Sequence, residues 1–157
     1  MLSKQKIYGI AIAITLSTGG LCTFLIRNDI HMYQTVNKPA LSPTPLLFPV
    51  MWTLLYILMG ISSARIYLQK EKYPFETMDA LFTDTLQLVA SFFWPLIFFH
   101  MHTFLFSLLW LILLWTLLLR MLFKFSVLDQ TAAFLQIPYF LWVTFTGYLN
   151  LMIYLLN

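Results

Sequence analysis

The sequence of residues 85–119, TLQLVASFFWPLIFFHMHTFLFSLLWLILLWTLLL, contains no Asp, Glu, Lys or Arg, and this stretch decides the fold. A helix rises about 1.5 Å per residue, so a single helix of this length would be about 50 Å long. The hydrocarbon core of a bilayer is only about 30 Å thick. The stretch must therefore fold back on itself, and the polar pair His100 and His102 marks the turn.

The rest of the chain holds three further uncharged runs, each long enough for one membrane span. They contain 20 residues between Lys6 and Arg27, 26 between Lys38 and Arg65, and 28 after Asp129. The composition, 61% hydrophobic and 10% charged with a mean hydropathy of +0.82, excludes a soluble domain. We predict an all-α, integral membrane five-transmembrane-helix bundle, a single domain over residues 1–157. The expected spans are approximately 7–26, 46–67, 81–99, 103–123 and 130–156.

The first span has one alternative interpretation, because Lys4 and Lys6 precede its apolar stretch as in a signal peptide. The stretch has no clear small-x-small cleavage site, so we favour a retained helix. Cys22 is the only cysteine, which excludes an intramolecular disulfide and a cysteine-based metal cluster. We expect no metal ligands elsewhere either, since His, Cys and carboxylates do not cluster at metal-ligand spacing.

The basic residues are distributed unevenly over the expected loops. Seven of the nine lie at the amino terminus or in the second and fourth loops, and only Arg27 and Lys38 lie in the first loop. The positive-inside rule therefore predicts a cytoplasmic amino terminus and a first loop outside. The net charge of +3 is a topology signal, and no basic cluster indicates a nucleic-acid partner.

An aromatic stripe follows the Pro-rich first loop. Phe48, Trp52, Tyr56 and Met59 recur at spacings of four and three, which places them on one helical face. A stiff loop over such a face could hold a large flat ligand. The alternative is that these aromatic side chains only pack helices together.

The third and fifth spans carry similar stripes that include polar residues. Polar side chains in a membrane helix normally face the bundle interior or a cavity. The stripes consist of Asp84, Gln87, Ser91, Trp94 and Phe98 on the third span and of Tyr139, Trp142, Thr146, Leu149 and Asn150 on the fifth. We expect Asn150 to form interhelical hydrogen bonds. We also expect no charged residue near the middle of any span, which disfavours an ion-coupled transporter.

Small residues at intervals of four predict close helix packing, within or between protomers. Gly9, Ala13 and Ser17 form such a seam on the first span, and Gly60 and Ala64 form one on the second. The leucine-rich fourth span is expected to be largely lipid-facing.

Three motifs occur in order, each on an expected span. The family pattern K-P-x-W-x-P-P, then F-x-x-V-W-x-x-L-Y-x-x-M-G, stands here as Lys38, Pro39, Leu41, Pro43, Thr44, Phe48, Trp52, Leu55, Tyr56, Met59 and Gly60. The pattern Q-L-x-L-N-x-x-W stands as Gln87, Leu88, Ser91 and Trp94. The pattern P-Y-x-x-W-V-x-F-A-x-x-L-N stands as Pro138, Tyr139, Trp142, Val143, Phe145, Thr146, Leu149 and Asn150. On these residues the chain resembles the TspO/MBR family (translocator protein, tryptophan-rich sensory protein, peripheral-type benzodiazepine receptor) over nearly its whole length.

The resemblance implies a homodimeric membrane protein, in a bacterial cell membrane, that binds porphyrins and other flat hydrophobic ligands between its helices. No cofactor is required, and protoporphyrin IX is the expected ligand. Carried over position by position, the pocket residues are Tyr33, Pro43, Phe48, Trp52, Tyr56, Ser91, Trp94, Trp142, Thr146 and Leu149. The expected role is sensory, transport or regulatory.

Two alternatives stay open. One is light-dependent breakdown of bound porphyrin, with Trp52 and Trp142 as redox-active neighbours, although the sequence has no recognisable catalytic motif. The other is a packing or regulatory membrane subunit without a small-molecule ligand.

Departures from the family pattern at four positions bear on the first loop or the expected pocket. Leu41 and Thr44 replace a Trp and a Pro in the first loop, Ser91 replaces an Asn, and Thr146 replaces an Ala. Thr146 is expected to narrow the pocket, so bulky ligands should bind more weakly than to a Thr146→Ala variant. No Lys or Arg follows Tyr154, so the cholesterol-recognition pattern is missing and we expect no dedicated sterol site.

Overall fold

The structure is a computed structural model that describes residues 1–157, and it contains helices and no strand. Five helices are long and apolar enough to cross a membrane, which confirms the predicted all-α membrane bundle. In chain order the helices are α1 (Lys4–Ile26), α2 (Met32–Thr35), α3 (Leu47–Tyr67), α4 (Pro74–Pro95), α5 (Phe104–Leu128) and α6 (Gln130–Leu156). The short α2 lies in the first loop, residues 27–46. A π-helical turn, Leu96–His100, extends α4.

The five long helices form a closed ring. Helix α1 packs on α3, α3 on α6, α6 on α5 and α5 on α4, and α4 returns to α1. Helix α5 contributes a single buried stripe and is otherwise open to the surroundings, in keeping with its predicted lipid exposure. The buried stripe consists of Ser107, Leu111, Leu114, Leu118, Met121 and Phe125.

The largest difference from the predicted spans is at the start of α4, which begins at Pro74 rather than at residue 81. Proline suits the first helical position because an N–H there would have no partner within the helix. Glu76 in the first turn stabilises the helix through its attraction to the positive end of the helix dipole. Asp84 therefore lies ~15 Å into the helix, at about 1.5 Å per residue. The expectation that no charged residue falls near the middle of a span is wrong at this position.

The predicted turn at His100 and His102 is confirmed. The N–H of Met101 donates to the carbonyl oxygen of Leu96, 3.1 Å away, which closes the π-helical turn. His102 then adopts a left-handed backbone conformation with φ of 54°, and α5 begins at Phe104. His100 Nδ1 lies 2.9 Å from Asp29 Oδ2, so this turn is joined to the first loop.

The seam between α1 and α3 uses a different face of α1 from the one predicted. Gly9, Ala13 and Ser17 are exposed, and a Cβ added to Gly9 would meet no atom within 4 Å. The contact is made instead at Gly60, where a Cβ would lie 2.5 Å from Cα of Ile12. The predicted seam on α3 is therefore present, whereas the predicted seam on α1 is not used within the bundle.

Candidate ligand-binding site

A cavity of 440 Å³ lies between α1, α3 and the end of α4, beneath the first loop. Its lining residues are Leu16, Gly19, Gly20, Cys22, Thr23, Ile26, Ile30, Tyr33, Pro45, Phe48, Pro49, Trp52, Thr53, Tyr56, Trp94, Pro95 and Phe99. Exposed members of this set occur on both α1 (Gly20, Thr23) and α3 (Pro49, Thr53). The cavity therefore opens sideways between these two helices, toward the surrounding lipid.

The aromatic stripe of α3 forms one wall of the cavity. Phe48, Trp52 and Tyr56 follow one another at intervals of one turn, as the spacing predicted. The rings of Trp52 and Tyr56 lie 5.7 Å apart. At the top of the wall, Phe48 meets Tyr33 of the first loop edge to face at 5.4 Å. Aromatic pairs in such arrangements are rigid and present large apolar faces.

The end of α4 supplies the opposite wall through Trp94, Pro95 and Phe99. Trp94 stacks on Phe98 with ring centroids 5.3 Å apart, and its Nε1–H donates to Asn150 Oδ1 at 3.1 Å. Asn150 also accepts from Ser107 Oγ at 3.0 Å, and its Nδ2 donates to the carbonyl oxygen of Phe104 at 2.9 Å. The predicted interhelical role of Asn150 is confirmed: one side chain joins α4, α5 and α6 and fixes the indole of Trp94.

The first loop is held over the cavity by polar contacts. Lys38 Nζ donates to the carbonyl oxygen of Tyr33 at 2.6 Å and lies 4.5 Å from the centre of the Tyr33 ring. The N–H of Asn37 donates to Asn157 Oδ1 at 3.0 Å, and Asn157 Nδ2 donates back to the carbonyl oxygen of Asn37 at 3.0 Å. Burial raises the pKa of the Tyr33 hydroxyl, because the phenolate would lose hydration, while the nearby Ser42 hydroxyl acts in the opposite direction. Tyr33 is thus a neutral phenol at physiological pH.

Five of the ten predicted pocket residues meet at this cavity. They are Tyr33, Phe48, Trp52, Tyr56 and Trp94. The other five do not line it. Pro43 is half-buried in the first loop, whereas Ser91, Trp142, Thr146 and Leu149 are buried among the helices.

The predicted α6 residues lie behind the α3 wall. Trp142 meets Phe48 edge to face, with ring centroids 5.9 Å apart, so Phe48 stands between it and the cavity. The indole Nε1 of Trp142 is buried and has no hydrogen-bond partner. On α4, the hydroxyl of Ser91 donates to the carbonyl oxygen of Leu88 at 2.7 Å. These residues support the aromatic wall from the interior of the bundle.

The contribution of α1 is absent from the sequence prediction. Its buried residues, Thr15, Gly19, Cys22 and Ile26, are spaced four, three and four along the helix. Gly19 lies directly against the Tyr56 ring, where no Cβ could fit. Cys22 Sγ is 3.4 Å from the carbonyl oxygen of Phe92 on α4. The spacing was visible in the sequence, but nothing in it distinguished this face of α1 from the Gly9, Ala13 and Ser17 face.

A larger cavity of 660 Å³ opens at the other end of the bundle. Its lining includes Lys4, Arg65, Lys70, Glu71 and Asp129, and Arg65 is paired with Asp129 at 2.9 Å. This cavity lies between helix ends and is lined by both charged and hydrophobic residues, and its only aromatic members are Tyr8 and Tyr67. We regard the aromatic cavity as the candidate site because ligand pockets are mostly apolar with a few placed polar groups.

Fold and cavity together define a helical membrane protein with five spans and an aromatic cavity that opens toward lipid. The chain belongs to the TspO/MBR family, whose sequence profile matches residues 10–156.

Individual relatives agree with this assignment. The tryptophan-rich protein TspO of Chlorobaculum tepidum is 33% identical over 135 residues, which cover 86% of this chain and 85% of the relative. Protein CrtK of Rhodobacter capsulatus is 32% identical over 156 residues, 99% of this chain and 94% of the relative. The tryptophan-rich sensory protein of Cereibacter sphaeroides is 31% identical over 126 residues, 80% of this chain and 76% of the relative.

Proposed function

We propose that this protein binds a porphyrin, or another flat hydrophobic molecule, in the cavity between α1, α3 and α4, and that binding serves a sensory or regulatory role in the membrane. The observation that carries the proposal is the pair of aromatic walls, Trp52 with Tyr56 on one side and Trp94 with Phe99 on the other. Flat conjugated rings pack favourably against such walls, and desolvation of both surfaces supplies most of the affinity.

The size and opening of the cavity support the same proposal. Its volume of 440 Å³ is in the usual range for small-molecule sites, about 300–1,000 Å³. Because it opens between α1 and α3, a ligand dissolved in lipid can enter without crossing the first loop. The few polar groups on the wall, such as the hydroxyls of Tyr33, Thr23 and Thr53, can meet the polar edge of an otherwise apolar ligand.

The test is a titration of protoporphyrin IX into the purified protein, followed by tryptophan fluorescence. We expect saturable quenching that falls sharply in Trp52→Phe. Trp115→Phe is the matched control, because Trp115 lies on the outer part of α5 and donates to Thr144 at 3.0 Å, away from the cavity. Equal loss of quenching in both variants would argue against binding at this cavity.

Thermal stability separates binding from a purely structural role. A ligand that binds only the folded state raises the melting temperature by mass action. Addition of protoporphyrin IX should therefore raise the Tm of the wild type and raise it less in Trp52→Phe. A Tm that does not respond to the ligand would favour a packing or regulatory subunit without a small-molecule site.

Illumination tests for the breakdown of bound porphyrin. If the protein directs such a reaction, illuminated samples should form a discrete absorbing product that is lost in Trp52→Phe. If porphyrin bleaches at the same rate and to the same products with heat-denatured protein, binding alone remains as the proposed activity.

A further inference from the structure

A separate polar site lies inside the bundle, where α3 packs on α4 and on α6. Its centre is Asp84 on α4, whose exposed fraction is 9%. The hydroxyl of Ser63, on α3, is in hydrogen-bond contact with Asp84 Oδ2. On the other carboxyl oxygen, Gln87 Nε2 donates to Asp84 Oδ1 at 2.9 Å. Intramembrane carboxyl groups are costly and normally mark a functional site.

The Ser63 hydroxyl faces two acceptors but carries one proton. Its oxygen lies 2.9 Å from the carbonyl oxygen of Met59 as well as in contact with Asp84. When the hydroxyl donates to Met59, the contact with Asp84 needs a proton on the carboxyl group. The hydrogen bond that Gln87 Nε2 donates to Asp84 Oδ1 fits the same arrangement, because Oδ1 is then the carbonyl oxygen of a neutral carboxylic acid and can accept it.

The charges around Asp84 favour its neutral form. Lys124, the cation that α5 brings to this region, is engaged by Asp79 at 2.7 Å and by Thr83 at 2.8 Å. Arg65 of α3 is paired with Asp129, and no ion pair in the structure includes Asp84. The ionisable group that α6 places near Asp84 is the phenol of Tyr139. A buried carboxylate without a cation is strongly disfavoured, because nothing offsets the loss of its hydration.

Unpaired polar atoms lie on the adjoining turns. The Ser62 hydroxyl donates to the carbonyl oxygen of Ala132 at 2.7 Å. Because Ser62 is the neighbour of Ser63, this bond places Ala132 of α6 at the same height in the bundle as the contact between Ser63 and Asp84. One turn along α6 is Gln136, whose Oε1 and Nε2 are both buried without a partner. Gln87 Oε1 and the Tyr139 hydroxyl are also buried and unpaired. Buried amide and phenol groups of this kind usually hold ordered water.

We propose that Asp84 is a proton-binding site within the membrane bundle: its carboxyl group carries a proton, donates it in a hydrogen bond to Ser63, and adjoins water held by Gln87, Gln136 and Tyr139. The ligand of this site is a proton, so the proposal does not depend on the molecule bound in the aromatic cavity. The two sites adjoin through Tyr139, whose ring lies 6.0 Å from that of Trp52.

Infrared spectroscopy of the protein in nanodiscs at pH 7 tests the proposal. A protonated carboxyl group gives a C=O stretching band separate from carboxylate bands, and the band shifts in D2O. We expect this band in the wild type, its loss in Asp84→Asn and its retention in Asp79→Asn. Asp79 is the matched control because it lies on the same helix but its side chain is 63% exposed and paired with Lys124. No such band in the wild type, or its persistence in Asp84→Asn, would overturn the proposal.

A second variant keeps the test decisive if Asp84→Asn does not fold. Ser63→Ala removes the acceptor of the carboxyl proton and leaves Asp84 in place. The C=O band should then move to higher frequency, as expected for a carboxylic acid that has lost a hydrogen bond. A band that does not move in Ser63→Ala would contradict the proposed bond between Asp84 and Ser63.

Discussion

The hydroxyl of Thr146 donates to the backbone carbonyl oxygen of Trp142, 2.8 Å away and one turn earlier on α6. This bond hides the hydroxyl in the helix instead of presenting it to a ligand. Thr146 is 2% exposed and does not line the cavity. The Thr that replaces a family Ala therefore acts on the support of the wall, not on the free volume of the cavity.

Thr146→Ala should consequently change stability more than binding. Loss of a buried methyl group and one hydrogen bond should lower the free energy of unfolding by about 1 kcal/mol. The affinity for a bulky flat ligand should stay within about twofold. Ligand titration and denaturant unfolding of the same samples measure both effects. A large gain in affinity would instead place Thr146 at the ligand, as the sequence prediction had it.

Gly19→Ala should disturb the contact between α1 and α3. The new methyl group would collide with the Tyr56 ring, whereas Gly9→Ala introduces the same group where no atom lies within 4 Å. We expect a lower Tm and weaker ligand binding for Gly19→Ala. Gly9→Ala should be neutral or slightly stabilising, since Ala is the better helix former. Similar melting curves for the two variants would show that α1 packs through another face.

Asn150→Leu should destabilise the bundle by about 2 kcal/mol, because the Trp94 indole, the Ser107 hydroxyl and the Phe104 carbonyl group lose their shared partner. Thr144→Val is the control, since it removes a bond from the exposed side of the bundle. Unfolding in a mixed detergent series measures both. Equal stability of the two variants would mean that the Asn150 hydrogen bonds stabilise the bundle no more than the exposed bond between Trp115 and Thr144 does.

Lys38→Met should loosen the first loop without altering the cavity walls. The variant loses the hydrogen bond to the Tyr33 carbonyl oxygen and the cation–π contact with its ring. We expect faster ligand dissociation, by several-fold, with Tm almost unchanged because the contact is partly exposed. Stopped-flow fluorescence after dilution measures the rate. An unchanged rate would show that ligands leave by the opening between α1 and α3 without loop movement.

The sequence predicted those features that depend on local helix geometry. The stripe of Phe48, Trp52 and Tyr56 could be predicted from the periodicity of a helix alone. The turn at His100 could be predicted from the thickness of a bilayer. The start of α4 was missed because Glu76 and Asp79 made the residues before position 81 look like a polar loop. Burial of Asp84 depends on Ser63 of another helix, which no local pattern shows.

The face that α1 presents to α3 could not be chosen from the sequence. Gly9, Ala13 and Ser17 and the set of Thr15, Gly19 and Cys22 have nearly the same spacing and similar residue sizes. What separates them is the fit of Gly19 to the Tyr56 ring and the bond from the Thr15 hydroxyl to the Tyr56 carbonyl oxygen, 2.7 Å long. Both are properties of a pair of helices, and so the six lining residues that α1 supplies remained unpredicted.

Because the cavity opens between α1 and α3, we expect lipid to compete with a ligand for the cavity as well as to deliver the ligand to it. We expect acyl chains to reach the exposed rim formed by Gly20, Thr23, Pro49 and Thr53 and to enter the cavity when no ligand is bound. Occupancy is then set by the mole fraction of ligand among lipids and not by its aqueous concentration. The apparent dissociation constant, expressed as total ligand concentration, should therefore rise in proportion to the amount of lipid or detergent in the sample.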